Sequence, residues 1–189
     1  MENTCRNRIL TVPNLLSLLR LAMIPWMVWL YAEKGNGLAA AAVLVLSGLT
    51  DIADGIIARK FHMITDFGKA FDPVADKLTQ LAMLFCLVKQ FPGMLVSLVL
   101  LAVKELFSGI TGLLVIQKTG QVLSASWHGK AATAALYAAM ALHLLWPRIP
   151  EALSGGAIGC CCALIGLSGI LYGVRNIGIL CKGGAYEKA

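Results

Sequence analysis

Apolar residues dominate this chain in long runs that short polar breaks separate. A helix that crosses a bilayer needs about 20 mostly apolar residues. Six runs come near that length, at residues 13–33, 38–59, 70–90, 93–116, 130–146 and 152–173. The breaks between them contain glycine, proline and asparagine, which favour turns, so each run is predicted to form its own helix. The fifth run is the shortest, and it gains a turn if its helix starts near Ser126.

Composition places these helices in a membrane. Hydrophobic residues make up 58% of the 189 positions and charged residues 14%, whereas soluble domains are about half apolar and a quarter charged. The runs follow one another too closely to leave room for a soluble domain. We therefore predict an all-α integral membrane protein with a single domain over residues 1–189. Its six transmembrane helices form one bundle after a short amphipathic N-terminal segment.

The distribution of positive charge predicts the orientation of these helices. Cytoplasmic segments of membrane proteins carry an excess of Lys and Arg. If the N-terminus is cytoplasmic, the outer loops contain only Lys34, Lys89 and Arg148. The inner segments then contain Arg6, Arg8, Arg59, Lys60, Lys69, Lys118, Lys130, Arg175, Lys182 and Lys188. Both termini are therefore predicted to be cytoplasmic. The remaining cations lie within the helices, where an unpaired charge is costly; they are Arg20, Lys77 and Lys104.

Half of the acidic residues crowd into one short window across the second and third helices. The chain has 10 Asp and Glu residues. The window holds Asp51, Asp54, Asp66, Asp72 and Asp76. The first two are spaced i, i+3 and the last two i, i+4, so each of these pairs projects from one side of its helix. Helices joined by a short loop are antiparallel neighbours, so these four carboxylates are predicted to converge near the cytoplasmic membrane surface.

Converging carboxylates in a low-dielectric setting repel one another unless cations neutralise them or some become protonated. A metal ion is the simplest solution. Oxygen ligands favour a hard ion such as Mg²⁺, Mn²⁺ or Ca²⁺. The window contains no cysteine and only one histidine, His62, which argues against zinc. Arg59 adds a fork of hydrogen-bond donors suited to a diphosphate, and small residues beside the acids leave space for a nucleotide.

The order of these residues resembles the motif of the CDP-alcohol phosphotransferase family, also called CDP-alcohol phosphatidyltransferases. All eight defining positions match in type and spacing: Asp51, Asp54, Gly55, Ala58, Arg59, Gly68, Asp72 and Asp76. The resemblance implies a six-helix membrane enzyme, often a homodimer, with a cavity that faces the cytoplasm. It implies a phosphatidyl transfer from CDP-diacylglycerol, with CMP as the product and with one or two Mg²⁺ or Mn²⁺ ions.

The resemblance also implies a role for each motif position. Asp51, Asp54, Asp72 and Asp76 correspond to the metal ligands, and Asp76 is in addition the general base. The nucleotide and its diphosphate correspond to Asp54, Gly55, Ala58, Arg59 and Gly68.

The acceptor alcohol is less closely defined by the sequence. The starts of the first and third helices, at residues 12–20 and 67–77, look like the branch that contains bacterial phosphatidylglycerophosphate synthases and related cardiolipin synthases. Glycerol 3-phosphate is therefore the first choice, and phosphatidylglycerol or another alcohol is the alternative. An anionic acceptor needs further cations, for which we select Lys104, Lys130 and Arg175. These synthases commonly have Arg-Glu at the position of Lys104-Glu105. Lysine keeps the positive charge but lacks the forked pair of hydrogen-bond donors of arginine.

Two other classes of protein share parts of this pattern. A cation transporter or channel also places acids within the membrane, but it does not require Arg59 or glycines at these spacings. A nucleic-acid binder would use the net charge of +6, but it needs an exposed basic surface that buried helices do not provide. The sequence therefore favours a multi-pass enzyme of the cell membrane over both.

Overall fold

The structure is a computed structural model that describes residues 12–60, 66–119 and 126–181. Within these ranges, the side chains of residues 12, 13, 54, 55, 58, 59 and 66–72 are outside the described part. The described part of the chain is all-helical, as predicted. The described residues form six helices, which are α1 (Val12–Ala32), α2 (Gly37–Lys60), α3 (Asp66–Val88), α4 (Met94–Thr119), α5 (Trp127–Leu145) and α6 (Glu151–Cys181). The predicted amphipathic segment lies outside the described residues.

The turns lie where glycine and proline predicted them. Gly35 has a φ of 61°, a left-handed conformation that glycine adopts without steric cost, and α1 ends just before it. The α3–α4 turn contains Pro92, and the α5–α6 turn runs from Trp146 to Pro150. α5 begins at Trp127, which agrees with the expected start near Ser126.

The sixth helix is longer than the sequence predicted. The predicted segment ended at residue 173, whereas α6 continues to Cys181. Gly173 lies against α4, where an added Cβ would come within 3.0 Å of Phe107 Cε1. The Asn176 side chain is buried and donates a hydrogen bond to Thr111 Oγ1 at 2.9 Å. Because packing and this hydrogen bond accommodate the polar and small residues, the helix does not end at them.

Among the described residues, three helices are long and apolar enough to cross a membrane, namely Asn14–Ala32, Met94–Thr119 and Glu151–Cys181. Only 17% to 22% of each apolar window is buried inside the protein. Many large apolar side chains are exposed as a result, including Phe85 and Ile170. A surface of this kind is suited to lipid and not to water.

The helices form two compact units. The first extends to Gln90 and includes Met140–Arg148, and the second consists of Phe91–Ala139 and the chain from Ile149 onwards. In the first unit, α1 packs against both α2 and α3. In the second, α4 packs against α6. The helix α5 contributes its first part to the second unit and its last part to the first.

A close backbone contact fixes the start of α2 in the first unit. A Cβ built on Gly37 would lie 2.3 Å from the carbonyl oxygen of Leu144 near the end of α5. Only a residue without a side chain permits this approach. The neighbouring Asn36 caps α2, since its Oδ1 accepts a hydrogen bond from the backbone N–H of Ala39 at 3.0 Å.

Candidate active site

The eight motif positions lie on α2 and α3, on the two sides of the connection at residues 61–65. Asp51 occupies the C-terminal half of α2, and Asp76 follows within three turns of the start of α3. These two carboxylates have described side chains. The other motif residues lie on the same two helices, with side chains outside the described part: Asp54, Gly55, Ala58, Arg59, Gly68 and Asp72.

Asp51 is paired with a buried arginine of α1. Arg20 Nη1 lies 2.7 Å from Asp51 Oδ1, and the two side chains are 0% and 45% exposed. Asn14, Ser17 and Arg20 are all buried and follow one another at a spacing of three residues, which places them on one helical face. Because α1 packs on both α2 and α3, this polar face contributes to the interior of the first unit.

Asp76 is held by residues of its own helix. Gln80 Nε2 donates a hydrogen bond to Asp76 Oδ2 at 2.8 Å, and Lys77 Nζ lies 3.8 Å from the same oxygen. The Asp76 side chain is 17% exposed, whereas Gln80 is fully buried. The carboxylate therefore lies at the boundary between the interior of the unit and its surface.

The donor chemistry of the described carboxylates fits a hard divalent cation. Asp51 and Asp76 offer oxygen ligands only, and a carboxylate accepts bonds at two oxygens, so one hydrogen-bonded or paired oxygen is compatible with metal binding. Among side chains within the described part, no group of three His, Cys, Asp or Glu residues is placed to hold a metal ion. Asp54 and Asp72 are not among those side chains.

Two of the three predicted acceptor cations meet in the second unit, at the ring of Tyr172. Lys104 Nζ lies 5.5 Å from the ring centroid and Arg175 Cζ lies 5.0 Å from it, distances at which a cation is attracted to an aromatic ring. Arg175 Nη1 also donates a hydrogen bond to Ser126 Oγ at 2.7 Å. We call this group the Tyr172 cluster; it consists of Lys104, Ser126, His128, Ser168, Tyr172 and Arg175.

Short contacts hold the Tyr172 cluster together. The backbone N–H of Ser126 donates to Tyr172 Oη at 3.0 Å. The ring of His128 packs edge-on against Tyr172 at 4.7 Å between centroids, and its Nδ1 lies 3.3 Å from Ser168 Oγ. Gly129 makes this packing possible, because a Cβ there would approach Tyr172 Oη to 2.7 Å.

The Tyr172 cluster has the chemistry of an anion site. It contains two cations, two hydroxyls of serine and an imidazole, and each of these groups is able to hydrogen-bond to a phosphate. Lys104 Nζ also donates to Glu105 Oε1 at 2.6 Å, which keeps the ammonium in place. Lys130, the third predicted cation, is exposed on α5, and its side chain makes no hydrogen bond, ion pair or cation–π contact among the described residues.

Sequence reasoning selected Arg175 but missed Tyr172 and Gln80. Gln80 is four positions after Asp76 and Arg175 is three after Tyr172. Both spacings bring side chains together on a helix, so both contacts had a local signal. The contact between Ser126 and Arg175 joins residues far apart in the sequence, and no local pattern predicts it.

Comparison with known proteins decides the family. The model of the CDP-alcohol phosphatidyltransferase family matches residues 10–168. The chain belongs to this family. The resemblance predicted from the motif is thus confirmed, and the alternative of an ion transporter or channel has no support from the comparisons.

The relatives that resemble this phosphatidyltransferase are named for two different activities. A cardiolipin synthase (CMP-forming) from Streptomyces coelicolor is 35% identical over 89% of the chain and 84% of the relative. A CDP-diacylglycerol–glycerol-3-phosphate 3-phosphatidyltransferase from Bacillus subtilis is 37% identical over 71% of the chain and 76% of the relative. The enzyme of that name from Rickettsia typhi is 37% identical over 60% of the chain and 65% of the relative.

Proposed function

We propose that the chain transfers the phosphatidyl group of CDP-diacylglycerol to glycerol 3-phosphate, giving phosphatidylglycerol phosphate and CMP. The observation that carries this choice of acceptor is the meeting of Lys104 and Arg175 at Tyr172. A second anionic substrate needs cations other than those that bind the donor diphosphate, and the Tyr172 cluster supplies them. The relatives from Bacillus subtilis and Rickettsia typhi bear the name of this reaction.

In the proposed reaction, a hydroxyl oxygen of the acceptor attacks the lipid-side phosphorus of the donor, and the bond from that phosphorus to the CMP oxygen breaks. Asp76 accepts the hydroxyl proton as attack proceeds. Arg59 binds the diphosphate, and the cytidine lies against Gly55, Ala58 and Gly68. Charge on the diphosphate and on the departing CMP would be neutralised by Mg²⁺ or Mn²⁺. One or two such ions would be held by Asp51, Asp54, Asp72 and Asp76.

The proposal includes a location. All six helices span the cell membrane with both termini in the cytoplasm, where glycerol 3-phosphate and CMP are soluble. The excess of Lys and Arg in the segments assigned to the inside supports this orientation. The family resemblance supports a homodimer.

The activity is tested with purified protein in detergent, CDP-diacylglycerol and a panel of radiolabelled acceptors, with Mg²⁺ and Mn²⁺ supplied in turn. Thin-layer separation of the lipid products identifies the acceptor. We expect phosphatidylglycerol phosphate to form only with CDP-diacylglycerol, glycerol 3-phosphate and a divalent ion together. Absence of labelled lipid with every acceptor and ion would refute the proposed reaction.

The role of the Tyr172 cluster is tested by removing its cations. Replacing Lys104 or Arg175 by Met is expected to raise the KM for glycerol 3-phosphate by about tenfold or more, because a hydrogen bond to a charged group contributes about 1.5–3 kcal/mol. The KM for CDP-diacylglycerol should change much less. Lys34→Met is the matched control, since Lys34 also lies over an aromatic ring, 5.0 Å from the centroid of Trp29. An unchanged KM in both cluster variants would exclude this acceptor site.

Cardiolipin synthesis is the second candidate. The relative from Streptomyces coelicolor matches more of the chain than the two synthases above, and its acceptor would be the lipid phosphatidylglycerol. The acceptor panel separates the two activities, because one yields phosphatidylglycerol phosphate and the other yields cardiolipin.

A further inference from the structure

A buried glutamine touches the carboxylate to which the proposed reaction assigns the proton. Gln80 is fully buried on α3, and its Nε2 donates to Asp76 Oδ2 at 2.8 Å. Helical side chains lean towards the N-terminus of their helix, so a residue four positions later naturally reaches back to Asp76. The contact is therefore a consequence of the i, i+4 spacing and not of a chance approach.

The chemistry of the two groups determines which end of the amide faces Asp76. An ionised carboxylate only accepts hydrogen bonds, and a glutamine amide donates through nitrogen alone. The nitrogen must therefore face the carboxylate, with the oxygen turned away. Gln80 Oε1 is also buried, and it has no hydrogen-bond partner inside the described ranges. Burying this amide has a free-energy cost, which its hydrogen bond to a charged partner offsets.

We propose that Gln80 is a positioning residue, which fixes the Asp76 carboxylate in the orientation needed for metal binding and proton transfer. The inference rests on the proposed function. The terminal torsion of aspartate is broad and roughly two-fold, so an untethered carboxylate samples many directions. A hydrogen bond to one oxygen also fixes the direction of the other.

The same helix provides a control for simple damage to α3. Thr79 is buried like Gln80 and adjacent to it, but its hydroxyl donates to the backbone oxygen of Ala75 at 2.9 Å. Thr79→Val removes a buried hydrogen bond of α3 while it leaves the one to Asp76 intact. Losses of kcat or Mn²⁺ affinity that arise from general disturbance of the helix should therefore be similar in the Thr79 and Gln80 variants.

The test compares Gln80→Met, Gln80→Leu and Thr79→Val with the wild type, all as full chains in detergent. Methionine keeps the length of the side chain without a donor, and leucine is shorter and also lacks a donor. Mn²⁺ binding is measured by the electron paramagnetic resonance signal of the free ion. The kcat, the KM for glycerol 3-phosphate and the melting temperature are measured alongside.

We expect both Gln80 variants to lower kcat and to weaken Mn²⁺ binding, each by about 10- to 100-fold, the range for residues that orient metal ligands. The KM for glycerol 3-phosphate should stay within about twofold, because residues that orient a ligand do not bind the acceptor. Thr79→Val should keep wild-type kcat and Mn²⁺ affinity whatever its melting temperature. If Gln80→Met does not fold, Gln80→Leu alone decides the question.

Two results would overturn the inference. One is a folded Gln80 variant with wild-type kcat and Mn²⁺ affinity, and the other is an equal loss in Thr79→Val. Failure of the proposed function would look different, since the wild type itself would then release no CMP from CDP-diacylglycerol with Mn²⁺ present.

Discussion

Individual polar side chains of the first unit are paired inside a largely apolar structure. Arg20 is fully buried and lies 2.7 Å from Asp51, and Gln80 is fully buried and bonds to Asp76. Polar groups at membrane depth are costly, and where they occur they usually serve function. Asp51 and Asp76, the first and last carboxylates of the motif, thus each contact a buried hydrogen-bond donor.

The first prediction at the residue scale concerns Asp76. Asp76→Asn keeps the size of the side chain but removes the base, so we expect CMP release to fall at least about a hundredfold. The variant should remain folded, because the asparagine oxygen still accepts a hydrogen bond from Gln80. CMP release and the melting temperature are measured on the same purified sample. Near-normal turnover would remove Asp76 from the role of general base.

The sequence predicted the motif residues but not their partners. The carboxylates stood out because acidic residues are rare in this chain, and their spacing identified the family. The partners of those carboxylates lie inside the first unit. The sequence shows that a polar residue such as Arg20 is costly within an apolar helix, but it does not show which residue Arg20 contacts. Only the structure pairs Arg20 with Asp51, because the choice of partner depends on how α1 packs on α2.

At the scale of helices, the apolar runs predicted the number and order of elements correctly. The ends of the helices were predicted less accurately, and α6 shows why. Gly173, Arg175 and Asn176 look like the end of an apolar segment, but each has a place in the second unit: against Phe107, at Ser126 and at Thr111. Tertiary contacts thus extend a helix that its own composition would end.

The prediction at this scale concerns the start of α2. Gly37→Ala is expected to destabilise the protein by about 1–3 kcal/mol, the usual cost of overpacking, because the new methyl group would overlap the carbonyl oxygen of Leu144. Gly156→Ala is the control, since a Cβ there meets no atom within 4 Å. That control should be neutral or slightly stabilising in a helix. Thermal unfolding in detergent compares them, and equal melting temperatures would contradict the close contact.

At the scale of the whole molecule, the motif and the candidate acceptor cations belong to different compact units. The first unit contains α2 and α3 with all the motif positions, and the second contains the Tyr172 cluster. The sequence predicted a single domain, and it offered no pattern that separates these two sets of contacts. Nonlocal packing, such as α1 on α3 or α4 on α6, cannot be deduced from the periodicity of one helix.

Metal ions are expected to stabilise the whole protein. If the carboxylates of the motif hold a metal, Mg²⁺ or Mn²⁺ at about 100 times its Kd should stabilise the fold by about 2.7 kcal/mol, and a chelator should reverse the gain. Asp51→Asn should lose most of this gain. Glu33→Gln is the control, because Glu33 follows α1 outside the motif. Equal thermal shifts in both variants would argue against metal binding by the motif.

The buried Arg20 also affects how the chain enters the membrane during synthesis. It lies near the middle of α1, where an arginine makes insertion of an isolated helix less favourable by about 2.5–3.5 kcal/mol. Because the N-terminal part emerges first from the ribosome, α1 meets the translocon before its partner Asp51 has emerged. Stable integration of α1 is therefore expected only after α2 has followed, with the two helices passing into the lipid as a hairpin.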